Sequence, residues 1–125
     1  MDIELQNKLF DKYPKLFRQR TLNPEDTCMC FGIECGDGWF WLLYELCDFI
    51  QTYVDNNKEE QPEAIQVKEK FGGLRFYTTP TTGKIDGAIW FAESLSMSIC
   101  EVCGSREDVT QTKGWVRSLC KKCIK

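Results

Sequence analysis

The chain has 125 residues, eight cysteines, no histidine, and 16 Lys+Arg against 19 Asp+Glu, a formal net charge of −3. At that length one domain is expected, and 42% hydrophobic with 13% aromatic residues supplies a real core and argues against a disordered chain. The lack of histidine excludes Ser-His-Asp and Cys-His-Asn catalysis, HExxH zinc proteases and histidine-metal nucleases, so any metal must rest on thiolates or carboxylates.

Met1 to Lys8 has neither the basic start nor the apolar run of a signal peptide. The longest apolar run, Trp39 to Tyr44, falls far short of the roughly 20 residues of a membrane span. The expectation is a soluble protein of a reducing cytoplasm, with no membrane partner. In that compartment clustered cysteines read as metal ligands before disulfides.

Residues 2–20 read as a short helix with Ile3, Leu5, Leu9, Phe10 and Tyr13 at an imperfect helical spacing that Pro14 interrupts. Lys15-Leu16-Phe17 continues as a turn packed on the core, and Arg18 to Thr27 is a loop with Asn23-Pro24 as turn signal. The clearest helix spans Gly38 to Asn56. Trp39, Leu42, Leu43, Leu46, Ile50, Tyr53 and Val54 form one apolar stripe, and Asp37 stands where an N-cap belongs. A polar connector, Asn56 to Glu63, ends it.

A β-hairpin follows. Ile65, Val67 and Phe71 alternate with Gln66, Lys68 and Lys70, then Leu74 and Phe76 with Arg75, Tyr77 and Thr79, around a Gly72-Gly73 turn. Ile65, Val67, Leu74 and Phe76 are expected to face a core; Gln66, Lys68, Lys70, Arg75 and Tyr77 share the other face. That basic, aromatic strip suits a phosphate or a single-stranded nucleic acid, and equally an ordinary solvated sheet face. Thr78 to Gly83 is a loop, and a second helix covers Ile85 to Met97, with Gly87 weakening it.

Cys100, Cys103, Cys120 and Cys123 form C-x₂-C-x₁₆-C-x₂-C, a spacing of four-thiolate zinc sites. A C-x₂-C turn sets two sulfurs on one metal, Gly104 suits the tight turn that follows, and the 16 residues between the pairs form a short hairpin with Trp115-Val116 in its returning strand. Four protein ligands leave no place for water, so the expected Zn²⁺ is structural, holding a segment too short to fold on its own core. From Val109 to Lys125 there are five basic residues (Lys113, Arg117, Lys121, Lys122, Lys125) and no acidic one. They either neutralise the thiolates or form a phosphate-contacting surface.

Cys28, Cys30 and Cys35 can supply three ligands of a second metal site, or lie as thiols in or near the core, as Cys47 does. In Glu34-Cys35-Gly36-Asp37-Gly38-Trp39, Glu34 and Asp37 can bind a cation and the helix start an anion. The simpler reading is structural: the glycines shape a turn, Asp37 caps, Trp39 anchors. Gln66-Val67-Lys68 faintly matches the acid-x-Lys element of restriction-type nucleases, with Asp37 the nearest upstream carboxylate.

The chain resembles small bacteriophage and prophage proteins in the Gly36-Asp37-Gly38-Trp39 turn, the Val67 to Tyr77 hairpin (VKEKFGGLRFY) and the terminal C-x₂-C-G … GW … LC-x₂-C segment, together about half its length. The resemblance implies a phage or prophage origin, hence a bacterial host cytoplasm, and carries no activity with it. The terminal segment also resembles a treble clef. With only Ile124 and Lys125 after Cys123, a zinc ribbon or truncated treble clef fits better.

The expected fold is α+β: two or three helices on a small antiparallel sheet, the β-hairpin, in residues 1–98, with a zinc-ribbon-like module in 99–125 packed on it. The expected function is a non-enzymatic zinc-binding adaptor that recognises a protein, a host protein given the phage-like origin. The alternatives are a nucleic-acid-binding zinc ribbon and, further off, a Mg²⁺-dependent nuclease.

Overall fold

Asp2 starts the first helix, α1 (Ile3–Lys12), by accepting the Glu4 N–H on its side chain at 3.1 Å, and Pro14 stops it. The expected stretch of 2–20 therefore breaks into α1, a turn that buries Leu16 and Phe17 completely, and a 3₁₀ turn at Arg18–Thr21. Residues 1–124 are described by this computed structural model, and Lys125 of the basic tail lies outside them.

The central sheet has three strands in the order β1 (Ile33–Glu34), β2 (Ala64–Lys70), β3 (Gly73–Thr78). β2 and β3 form the expected antiparallel hairpin. β1, too short to be read from periodicity, adds a parallel pair, Ile33↔Val67 and Glu34↔Lys68. Val67 pairs with Phe76 on the core face, and Lys68 with Arg75 and Gln66 with Tyr77 on the other, as the alternation predicts. Two details differ. A bulge falls between Ala64 and Gln66, so the fully buried core position belongs to Ala64 and not to Ile65, whose carbonyl accepts the Thr27 hydroxyl at 3.2 Å. The turn is Phe71-Gly72, at φ 53° and 85°, one residue earlier than Gly72-Gly73. Positive φ at both central positions is the two-residue loop that matches the strand twist, so Phe71 leaves the strand and stands 70% exposed.

A 3₁₀ turn at Asp37–Trp39 runs into the long helix, α2 (Phe40–Asn57), which stops where Lys58 turns left-handed at φ 51°. Asp37 does not cap it. Its Oδ1 accepts the Asp2 N–H at 2.7 Å, tying the start of α1 to the start of α2. The buried face of α2 is Phe40, Leu43, Leu46, Cys47, Ile50 and Val54, whereas Leu42 and Tyr53 are only half-buried. The helix carries more apolar surface than the body covers. The third helix, α3 (Gly83–Ser96), packs on α2 and along the free edge of β3. There Ser96 Oγ and Glu93 Oε2 accept the otherwise unpaired N–H groups of Leu74 and Phe76 at 2.8 and 2.9 Å. Among the described residues no helix is long and apolar enough to cross a membrane.

Candidate metal centre

After α3 the chain forms a knuckle at Cys100–Gly104 and then a hairpin, β4 (Val109–Gln111) against β5 (Ser118–Cys120), with Val109 opposite Cys120. The returning strand begins at Ser118 and does not include Trp115-Val116. The Thr112 hydroxyl donates to the Trp115 carbonyl at 2.6 Å and accepts the Arg117 N–H at 2.8 Å, holding residues 112–117 as a loop that leaves Trp115 82% exposed. Gly104 adopts φ 82°, and its N–H returns to the Cys100 carbonyl at 2.9 Å. At the far end of β5 the N–H groups of Cys123 and Ile124 both reach the Cys120 carbonyl, closing a turn with no helix. Among the described residues the module is ribbon-like.

This architecture gathers the sulfurs of Cys100, Cys103, Cys120 and Cys123 within 4.8 Å of one another, an arrangement that can hold a metal ion. Cys103 Sγ and Cys120 Sγ are 3.6 Å apart. A tetrahedron with metal–sulfur bonds of ~2.3 Å has edges of about 3.8 Å, so the spacing fits zinc. Burial works against a Cys100 thiolate, but the N–H groups of Cys103, Cys120 and Val102 aimed at its sulfur draw it down to about 6. Hydrogen bonding from Cys120, then burial, pushes Cys123 up to about 12.

The module is seated on the body by one backbone hydrogen bond and by side-chain bonds to backbone groups. The Gly38 N–H donates to the Glu101 carbonyl at 2.8 Å, Trp39 Nε1 to the Ile99 carbonyl at 2.9 Å, and the Gly36 N–H to Glu101 Oε2 at 2.9 Å. A Cβ on Gly38 would overlap the carbonyls of Cys100 and Glu101, and one on Gly36 the carbonyl of Glu101. The two glycines thus exist for close approach to the first knuckle. On the other side Ser118 Oγ donates to the Gly72 carbonyl at 2.6 Å, so the tip of the β2–β3 hairpin grips β5. Glu101 is almost fully buried, and its Oε1 lies 3.6 Å from Arg117 Nε. Glu101 and Ser118 were not legible as site residues. The only sequence signal was the pair of glycines beside Trp39.

The other predicted residues are distributed differently. Among the described residues, the one group of three or more metal-ligating side chains is the C-terminal four, and Cys28, Cys30 and Cys35 do not form another. Cys30 Sγ donates to the Thr27 carbonyl at 3.5 Å; Cys35 and Cys47 are buried in the main core. Lys68, Lys70, Arg75 and Tyr77 do share one face, but Glu34 of β1 lies in register beside Lys68. Arg117 faces Glu101, and Lys121 and Lys122 border the same depression as Glu107 and Asp108. Lys113 is exposed in the β4–β5 loop. The tail is acid-free in sequence but not in space.

Burial pushes the Cys35 thiol up to about 12, and pushes Cys47 up further still. Iodoacetamide at mildly alkaline pH is therefore expected to label Cys28 and Cys30 in the folded, zinc-loaded protein and to spare Cys35 and Cys47 until denaturant and chelator are added. Peptide mass mapping checks this, and labelling of Cys47 in the folded state would contradict the burial argument. Compared with known proteins, the chain matches no family model, no curated protein and no solved structure.

Proposed function

We propose that the chain is a non-enzymatic zinc protein, in which one structural Zn²⁺ staples the C-terminal segment to an α+β body whose task is to bind another macromolecule, a protein foremost. The observation that carries this is the closed set of four thiols within 4.8 Å. Four protein ligands fill a zinc tetrahedron and leave no position for a reacting water. The resemblance of three segments to phage and prophage proteins supports a phage origin and a host protein as the partner.

One observation favours nucleic acid as a second reading. Phe71, 70% exposed, and Trp115, 82% exposed, flank a cleft between the two hairpin tips, and Lys70 Nζ lies 5.8 Å from the Phe71 ring centre. Stacking on such a pair beside lysine is how single strands are held. Against it stand the acidic neighbours of Lys68, Arg117, Lys121 and Lys122. The deciding experiment is affinity capture by tagged protein, purified under reducing conditions and assayed for metal, with and without nuclease. One zinc per chain and a partner protein retained after nuclease are expected. Zinc-free protein would refute the metal assignment, and capture of nucleic acid alone would reverse the partner class.

A further inference from the structure

The apolar surface that α2 leaves uncovered meets a matching stripe on α3. Leu42, Leu46 and Phe49 recur at i, i+4 and i+7, and face Ala88, Phe91 and Leu95 at i, i+3 and i+7 across a groove of about 350 Å³. Phe49 is 44% exposed and Phe91 69%, large aromatics that a closed core would have covered. The one polar residue in the lining is Glu45. A second depression continues past Glu45 and Phe49 along α2, with Asp48 on its wall. Neither is lined by a lysine or arginine.

The charges of the two helices decide what can lie there. They carry Glu45, Asp48, Asp55, Asp86 and Glu93 against the single base Lys84. Lys84 is drawn to the Tyr53 ring, 5.9 Å from its centre. Of the carboxylates only Glu45 and Asp48 border the two depressions, Glu93 being turned to β3, where it accepts the Phe76 N–H; a second copy docked face to face would set Glu45 and Asp48 against their counterparts, which disfavours a homodimer through this surface. A membrane surface with anionic lipid is disfavoured for the same reason. The complement of an apolar groove flanked by acid is an apolar helical stripe flanked by base.

We propose that the α2–α3 groove docks a basic amphipathic helix of a partner protein, its apolar anchors seated between Phe49 and Phe91 and its lysines or arginines beside Glu45 and Asp48. This rests on the protein-binding reading and names the surface and the partner chemistry for it. None of the residues lining the groove belongs to the thiol cluster.

The test is a fluorescence-anisotropy titration of zinc-loaded protein, its metal content measured on the same sample. The probe is a labelled helix-forming peptide of about 18 Leu and Lys residues in an amphipathic order, long enough to form helix on a surface. Two controls accompany it: the same residues scrambled, and the same order with Glu for Lys. The amphipathic Leu/Lys peptide is expected to bind saturably and at least tenfold more tightly than either control, on the scale of about 1.4 kcal/mol. Phe91→Ala, at an exposed position, is expected to weaken it about tenfold or more without lowering the melting temperature, and Glu45→Lys severalfold. Equal binding of all three peptides, or binding that ignores both substitutions, overturns the proposal while the measured zinc leaves the metal reading standing. Concentration-dependent dimerisation in sedimentation, abolished by Phe91→Glu, overturns it in favour of a second copy.

Discussion

A Cys120→Ser protein is expected to bind Zn²⁺ more than about 100-fold more weakly than the parent, since changes beyond the ligand shell alone cost roughly 10–100-fold. Its C-terminal module should melt while α2 persists. The reason lies in how little else holds the module together. Its own core is Cys100, Leu119 and Cys120, and two of those belong to the thiol cluster. Burying Leu119 stabilises by about 1.5–3 kcal/mol. A four-ligand zinc centre contributes on the order of 10 kcal/mol in zinc-finger peptides. A serine hydroxyl at the buried Cys120 position does not ionise to replace the thiolate. Competition against a chromophoric chelator measures the affinity. Amide NMR separates the two regions: peaks from the β4–β5 hairpin collapse, the Trp39 indole N–H shifts as it loses the Ile99 carbonyl, and the interior of α2 stays dispersed. Unchanged zinc affinity would remove Cys120 from the site.

Gly38→Ala tests the seat of the module without touching a ligand. Gly38 does not need a left-handed backbone; what it needs is the absence of a side chain, because a methyl group there would overlap the carbonyls of both Cys100 and Glu101. Both obstacles are backbone, so no rotamer change relieves the clash. The expected loss is about 2–3 kcal/mol in urea unfolding, in the upper range for overpacking. That is a large share of the ~5–15 kcal/mol that holds a domain together. Zinc affinity should fall as well, because pushing the knuckle off its seat breaks the Gly38–Glu101 backbone bond. Gly87→Ala is the matched control. It sits inside α3 with nothing within 4 Å of an added Cβ, and it should stabilise by about 0.5–1 kcal/mol. Equal effects at the two positions would mean that the close approach at Gly38 does not constrain the fold.

Local pattern was enough for much of this molecule. The C-x₂-C pairs and Gly104 foretold the thiol cluster, because knuckle geometry is settled within five residues. Helical spacing located α2 and α3 to within a few residues, and alternation sorted Val67 and Phe76 from Lys68, Arg75 and Tyr77. Periodicity failed where one residue shifts the register. The bulge at Ile65 and the Phe71-Gly72 turn are not encoded by hydrophobic alternation, and a two-residue strand such as β1 is too short to have a period.

What only the tertiary structure decided are the pairings between distant segments. Gly36 meets Glu101 across 65 positions, Trp39 meets Ile99 across 60, and Ser118 meets Gly72 across 46. Those contacts turn three separate sequence features, the glycine-flanked turn, the hairpin tip and the cysteine pairs, into one seat for the thiol cluster. Packing likewise brings Glu34, Glu101, Glu107 and Asp108 to the basic residues, and leaves Phe49 and Phe91 facing each other across an apolar groove bordered by Glu45. Spacing along a chain reports what a helix, strand or knuckle does within itself. Which element covers which, and whose charge neutralises whose, is settled only when the elements pack, because Coulomb attraction and steric exclusion act through space and not along the sequence.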